Sequence, residues 1–182
     1  ERFGIDVALL RAILERSSSI RRFNVVTFDA GARWLVPQWV SNDAAGRARV
    51  LELLDEVLLE GATDLSAALD ALHTPPMRDA AGSAADVFVL SDGQITWGER
   101  DLPTLLRART SPWAATRTFA YRTGLGAENT DLLRRVAGAG VFNCLSIESV
   151  PGCAVAHQRP ALRVDQVIVE GRGPTGATTS GV

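Results

Sequence analysis

Hydrophobic and polar positions along this chain switch repeatedly between a helical and an extended period. From Ile5 to Arg16, the residues Ile5, Leu9, Leu10, Ile13 and Leu14 recur at helical spacing, with Asp6, Arg11 and Glu15 between them. That pattern predicts a helix with one buried face, ended by Ser17-Ser18-Ser19. Phe23 to Phe28 is β-branched and aromatic on both faces, which predicts an interior strand covered by helices on both sides. Asp29-Ala30-Gly31-Ala32 reads as a hairpin turn into Arg33-Trp34-Leu35-Val36, where Pro37 stops the ladder and marks an antiparallel edge strand.

Asn42-Asp43 supplies an N-cap, and Val50, Leu54, Val57 and Leu58 form the stripe of a second helix that Gly61 closes. Thr63-Asp64 caps a third, short helix carrying Leu65, Ala68, Leu69 and Leu72, which ends before Pro75-Pro76. Thr74 to Ala85 is a loop. Val87-Phe88-Val89-Leu90, bounded by Asp86 and Ser91-Asp92-Gly93, has the continuous apolar run of a buried parallel strand. Asp101 and Pro103 begin the next helix, with proline tolerated in the first turn. Thr116 to Tyr121 is a strand, Gly124 to Asn129 a loop, Leu132, Leu133 and Val136 a helix face, and Gly140 to Leu145 a last strand.

Strands alternating with helices predict an α/β fold, a doubly wound and mostly parallel sheet with helices on both faces. This unit spans residues 1–146. Residues 147–182 form an irregular C-terminal extension, a linker or the start of a following β segment. Only Leu162 to Glu170 looks like a strand there, and Gly171 to Val182 offers almost nothing to bury.

The composition narrows the function. With 182 residues, 46% of them apolar and 22% charged, the chain can bury a sizeable core and is not a disordered tail. A net charge of −2 provides no basic footprint for nucleic acid. No run of apolar residues is long enough to span a membrane. Every basic residue is arginine, which excludes Schiff-base lysine chemistry and a P-loop lysine and suggests a GC-rich genome. Cys144 and Cys153 are too few for a disulfide framework or a zinc site, and read as two thiols or one small loop-closing bridge.

Ligands of open α/β sheets bind at the carboxyl ends of the parallel strands. There, Asp92 places a carboxylate just past a buried strand, and Thr63 places a hydroxyl at the start of a helix. Both are hard oxygen donors of the kind that hold Mg²⁺. Taken singly, Thr63 is equally an N-cap and Asp92 equally part of an Asp-Gly turn.

The order of these segments is more specific than any one of them. Phe23 to Phe28, a hairpin, a helix ending in Gly61-Ala62-Thr63-Asp64-Leu65, and then Val87-Phe88-Val89-Leu90-Ser91-Asp92-Gly93 together resemble the von Willebrand factor type A (vWA) domain. Phe119 to Gly126, Asn129 and Leu132 to Ala137 are similar to that family's fifth strand and last helix. The wording is most similar to bacterial proteins that pair this domain with an inter-alpha-trypsin-inhibitor-type (VIT) domain. The resemblance covers residues 3–146.

It implies a non-enzymatic, adhesion-type protein-binding module with a metal-ion-dependent adhesion site. Thr63 and Asp92 would be metal ligands for Mg²⁺, and a partner protein would offer an acidic side chain to the open coordination position. The family's other ligands lie in an Asp-x-Ser-x-Ser motif ending its first strand. This chain opens at the first helix, so the expectation is a domain lacking its first central strand, with a metal site that is incomplete. Glu15-Arg16-Ser17-Ser18-Ser19 has similar spacing but follows a helix, at the wrong sheet edge. The resemblance slightly favours the cell envelope or secretion.

Two other readings stand beside this one. Gly124 and Gly126 after a strand admit a nucleotide-dependent α/β enzyme, with Glu148 as the ribose partner, although Asn129 stands where a third glycine is needed. A structural scaffold without metal is the other. His73 reads as a helix C-terminal residue, and Cys153 with His157 as a conceivable nucleophile pair. Trp34 reads as strand packing. Trp97 is either an exposed contact residue beside the metal edge or a loop anchor; Trp39 and Trp113 carry no assignment.

Overall fold

In the computed structural model the described residues are 2–57, 61–77, 85–107, 117–124, 129–159, 169–172 and 178–181. The chain opens with helix α1 (Arg2–Arg16), followed by strands β1 (Arg22–Phe23), β2 (Val26–Phe28), β3 (Ala32–Trp34) and β4 (Val40–Ser41). Helices α2 (Ala44–Asp55) and α3 (Leu65–His73) lead to β5 (Val87–Ser91), α4 (Leu102–Arg107), β6 (Thr118–Thr123), α5 (Thr130–Val136) and β7 (Gly140–Cys144). A short α6 (Val150–Cys153), flanked by single 3₁₀ turns, precedes the ribbon β8 (Val169–Arg172) and β9 (Thr178–Gly181). No helix among the described residues is long and apolar enough to cross a membrane.

The centre is a parallel sheet in the order β5-β6-β7. Its two faces are separated by the alternation along β6. Phe119 and Tyr121 point to one face, where they pack with Ile5, Leu9 and Ile13 of α1, Cys144 of β7, and Val150 and Cys153 of α6. Ala120 belongs to the other, packing with Leu65 and Leu69 of α3, Leu105 of α4, and Leu132, Leu133 and Val136 of α5. Helices therefore cover both faces, as expected of a doubly wound α/β fold. A third cluster, Leu14, Phe23, Val36, Val40, Val50 and Leu54, lies under α2.

The helix starts follow their caps. The Asp43 carboxylate accepts the Gly46 amide at 2.7 Å, Asp64 accepts Ala67 at 3.0 Å, and Asn129 accepts Leu132 at 3.0 Å. Asp64, rather than Thr63, caps α3. Helix α2 stops at Asp55, well short of Gly61; Leu58 of its expected stripe lies outside the described residues.

Two expectations change. Phe23 to Phe28 is not one interior strand. The Asn24 amide donates to Val36 O at 2.9 Å and Gln38 O at 3.1 Å while its Oδ1 takes the Val25 amide, so a side chain replaces the ladder at that point. The run splits: β1 pairs with β4, and β2 pairs with β3 in a separate antiparallel hairpin. The parallel sheet accordingly has three strands among the described residues. Residues 147–159 are not irregular, since Val150, Cys153 and Ala154 are buried in the same core as α1. Further on, β8 and β9 pair antiparallel, Val169 opposite Gly181. Most of the expected strand from Leu162 to Glu170 lies outside the described residues.

Candidate functional site

The loops after β5 and before α3 meet at the carboxyl edge of the sheet. Thr63 is half-buried and bound through its backbone: its amide donates to Thr96 Oγ1 at 2.8 Å, and its carbonyl accepts the amides of Thr96 at 3.1 Å and Trp97 at 3.2 Å. Asp92 is buried, and its Oδ1 accepts the Gln94 amide at 3.1 Å. Its carbonyl accepts the Asn129 amide at 3.3 Å, tying the edge to the start of α5. The segment Gln94 to Trp97 thus joins both predicted site residues at one edge.

Other oxygen side chains gather at that edge. Asp64 is buried, its Oδ1 accepting Ser66 Oγ at 2.5 Å as well as the cap amide, while its own amide donates to Asp29 O at 2.7 Å. Ser91 Oγ accepts the Gly93 amide at 3.1 Å. Thr123, at the end of β6, is fully buried, and its hydroxyl has no hydrogen-bond partner among the described residues. A β-carbon on Gly98, at φ +75°, would collide with the Asp64 carboxylate, so the loop passes directly over it. Trp97, beside Gly98, is 60% exposed, which decides its reading in favour of a surface residue.

Sequence reasoning missed Asp64 beyond its capping role, and missed Ser91, Thr96 and Thr123. The signal available was position: Asp64, Ser91 and Thr123 lie at a strand end or helix start on the carboxyl edge, and Thr96 in the loop that follows β5 there.

No protein-family model matches the sequence, and no curated protein matches it. Solved structures do. A von Willebrand factor type A protein from Catenulispora acidiphila aligns at TM-score 0.68 and 18% identity, over 84% of this chain and 36% of that one. The fold is that of the von Willebrand factor type A domain. Proximal thread matrix protein 1 from the mussel byssus, with a zinc-occupied MIDAS motif, aligns at TM-score 0.62 and 14% identity, over 84% of this chain and 41% of that one. BatB from Bacteroides thetaiotaomicron, described as a conserved hypothetical protein, aligns at TM-score 0.62 and 10% identity, over 84% of this chain and 85% of that one. The chain thus spans less than half the length of the first two.

For a metal in this vWA fold, the donors have the right chemistry and are few. Among the described residues, no three His, Cys, Asp or Glu side chains cluster closely enough to hold an ion. Thr63 and Asp92 offer hard oxygens, and Mg²⁺ is commonly held by one or two carboxylates with water filling other positions. Thr63 uses only its backbone in the hydrogen bonds described above.

The competing chemistries find less. Gly124, at φ +94°, ends β6, but Gly126 lies outside the described residues, and Glu148 is exposed on the turn Ile147–Ser149. His73 is the last residue of α3. His157 and Cys153 do not form a nucleophile pair. His157 Nδ1 sits 2.9 Å from Tyr121 OH and Nε2 3.1 Å from Ser17 Oγ, whereas Cys153 Sγ donates to Asn143 O at 3.0 Å. Burial pushes the Cys144 thiol up to about 12, the reverse of an activated nucleophile. Both cysteines are buried and free. Trp34 Nε1 donates to Ala71 O at 3.1 Å and packs the β2–β3 hairpin to α3, and Arg22 lies over the Trp39 ring. Trp113 lies outside the described residues.

Proposed function

We propose that this domain is a non-enzymatic protein-binding module whose recognition edge is the carboxyl edge of β5, β6 and β7. The observation that carries this is the concentration of buried oxygen side chains there, Asp64, Ser91, Asp92 and Thr123, beside an exposed tryptophan. Thr63 and Asp92 would hold a Mg²⁺, whose charge would attract an acidic side chain of a partner protein into its open position. The family resemblance assigns the remaining ligands to an Asp-x-Ser-x-Ser motif on a strand preceding α1. Trp97 would supply apolar contact area next to the metal, a role in which tryptophan is over-represented at interfaces.

The test is Mn²⁺ binding, read by paramagnetic resonance as a stand-in for Mg²⁺. The full polypeptide should bind Mn²⁺, and Asp92→Ala and Thr63→Ala should each weaken it at least about tenfold, or about 1.4 kcal/mol. Equal binding by wild type and Asp92→Ala overturns the metal assignment.

A further inference from the structure

The edge of the sheet opposite the proposed recognition edge carries the other sign of charge. His157 marks that edge. Its ring centroid lies 4.9 Å from that of Phe88 and 5.6 Å from that of Phe119, each the second paired residue of its strand. Its Nε2 is 3.1 Å from Ser17 Oγ, directly after α1. The end of α1 and the turn Ala156–Gln158 therefore sit at the amino ends of β5 and β6.

Two polar side chains gather arginines there. Gln158 donates to Arg16 O at 3.1 Å and to Ser17 Oγ at 2.9 Å, which sets Arg159 beside Arg16. The Asn42 side chain donates to Leu14 O at 2.8 Å and Ile20 O at 2.9 Å, and its amide to Arg21 O at 2.9 Å. Arg47 closes on the same residue, donating to Asn42 O at 3.2 Å and to its Oδ1 at 3.1 Å. Arg22, opposite Ser41, lies 5.6 Å over the Trp39 ring, and Arg49 lines a cleft of about 490 Å³ with Pro37 and Trp39.

These charges are not balanced within the fold. Arg16, Arg21, Arg49 and Arg159 are exposed, and none is in an ion pair among the described residues. Two neighbouring carboxylates are committed elsewhere, Asp86 to Arg117 and Asp43 to the α2 cap; Glu15 stays exposed. The exposed acids Asp131 and Glu148 stand at the other edge, at the start of α5 and beyond β7. A chain of net charge −2 is thus polarised end to end. Like charges held together repel, so an uncompensated patch of this kind favours an external anion.

We infer that the amino edge docks on an anionic phospholipid surface, with Trp39 at the level of the headgroups. The arginines come from separate segments, and a ligand seated in the cleft would meet Arg49 without Arg16 or Arg159. A flat, many-phosphate surface can meet them together. Arginine forks suit phosphate oxygens, and tryptophan concentrates where bilayer meets water. Docked this way, the domain turns its carboxyl edge away from the lipid.

Docking at this edge needs no metal. Binding is therefore measured in EDTA, which also keeps lipid phosphate from bridging to an ion at the opposite edge. The full polypeptide is sedimented with vesicles of phosphatidylcholine alone, or of phosphatidylcholine and phosphatidylglycerol mixed two to one. It should bind the mixed vesicles only, and at least about tenfold more weakly at about 0.5 M than at about 0.05 M salt. Arg16→Gln, Arg21→Gln and Arg159→Gln should each weaken binding about fivefold. Arg100→Gln, in the loop at the carboxyl edge, should bind as wild type does.

The three replaced side chains are exposed, so melting should stay at the wild-type temperature. Should a variant unfold, the lipid and salt dependence of the wild type decides. Equal binding to neutral vesicles, insensitivity to salt, or a folded triple variant that binds like wild type overturns the inference. Tighter binding to polyglutamate or a single-stranded oligonucleotide than to vesicles of matched charge also overturns it, by making the partner a soluble polyanion.

Discussion

Thr63 and Thr96 bind each other in both directions. The Thr63 amide donates to Thr96 Oγ1 at 2.8 Å, and the Thr63 carbonyl accepts the Thr96 amide at 3.1 Å. One hydroxyl therefore locks the loop after Asp92 onto the start of α3. Thr96→Val keeps the shape and removes the acceptor. It should cost about 0.5–1.5 kcal/mol, a shift of a few degrees in calorimetric melting, while Thr96→Ser stays near wild type. Equal melting of all three forms would show the pairing to be energetically idle.

Gly98 carries a different constraint. At φ +75° and against the Asp64 carboxylate, it has no room for a methyl group. Gly98→Ala should destabilise by about 1–3 kcal/mol, by backbone strain and by displacing the α3 cap. Gly4→Ala, in α1 with open space around its β-carbon, is the control and should be neutral or slightly stabilising. Thermal melting of the two variants separates the effects.

His157 makes stability depend on pH. Burial lowers its pKa below the ordinary 6.5, Asp86 opposing with a raising influence and Arg117 adding to the lowering, while Tyr121 and Ser17 hydrogen-bond its two ring nitrogens. The folded state therefore favours the neutral ring, and the unfolded chain takes up the proton first as pH falls. The contribution is complete above pH 6.5 and declines below it, towards the folded pKa. The melting difference between wild type and His157→Gln should be largest above pH 7 and shrink on acidification; a constant difference refutes the linkage.

The thiols should be inert in the folded chain. Cys144 is fully buried, its pKa raised to about 12 chiefly by burial, and Cys153 is buried and donates to Asn143 O. At pH 8, Ellman's reagent should react with neither until the chain unfolds, so labelling should proceed no faster than global opening measured by exchange. A burst of one thiol per chain would contradict this.

The local pattern made much of this architecture readable. Val87 to Leu90 could be recognised as a parallel strand, because burial on both faces demands uninterrupted apolar residues. Asp43 and Asp64 announced helix starts because their side chains compete for the first free amides. Phe23 to Phe28 misled for the opposite reason: its apolar run is continuous, but one polar residue, Asn24, found carbonyl partners at Val36 and Gln38. Those partners are distant enough in sequence that no local pattern could show them.

By itself the sequence determined the alternation of strands and helices, the caps, and the placement of Thr63 and Asp92 at strand and helix ends. These depend on neighbours a few residues away. Tertiary structure alone decided that α6 returns to the core beside α1, that His157 links Tyr121 to Ser17, and that Asp64, Ser91 and Thr123 are buried at the same edge as Asp92. It alone decided that β2 and β5 stand apart with a slot between them. Strand pairing is a contact between segments far apart in sequence, and hydrophobic periodicity says which face a strand buries but not which strand lies at its edge.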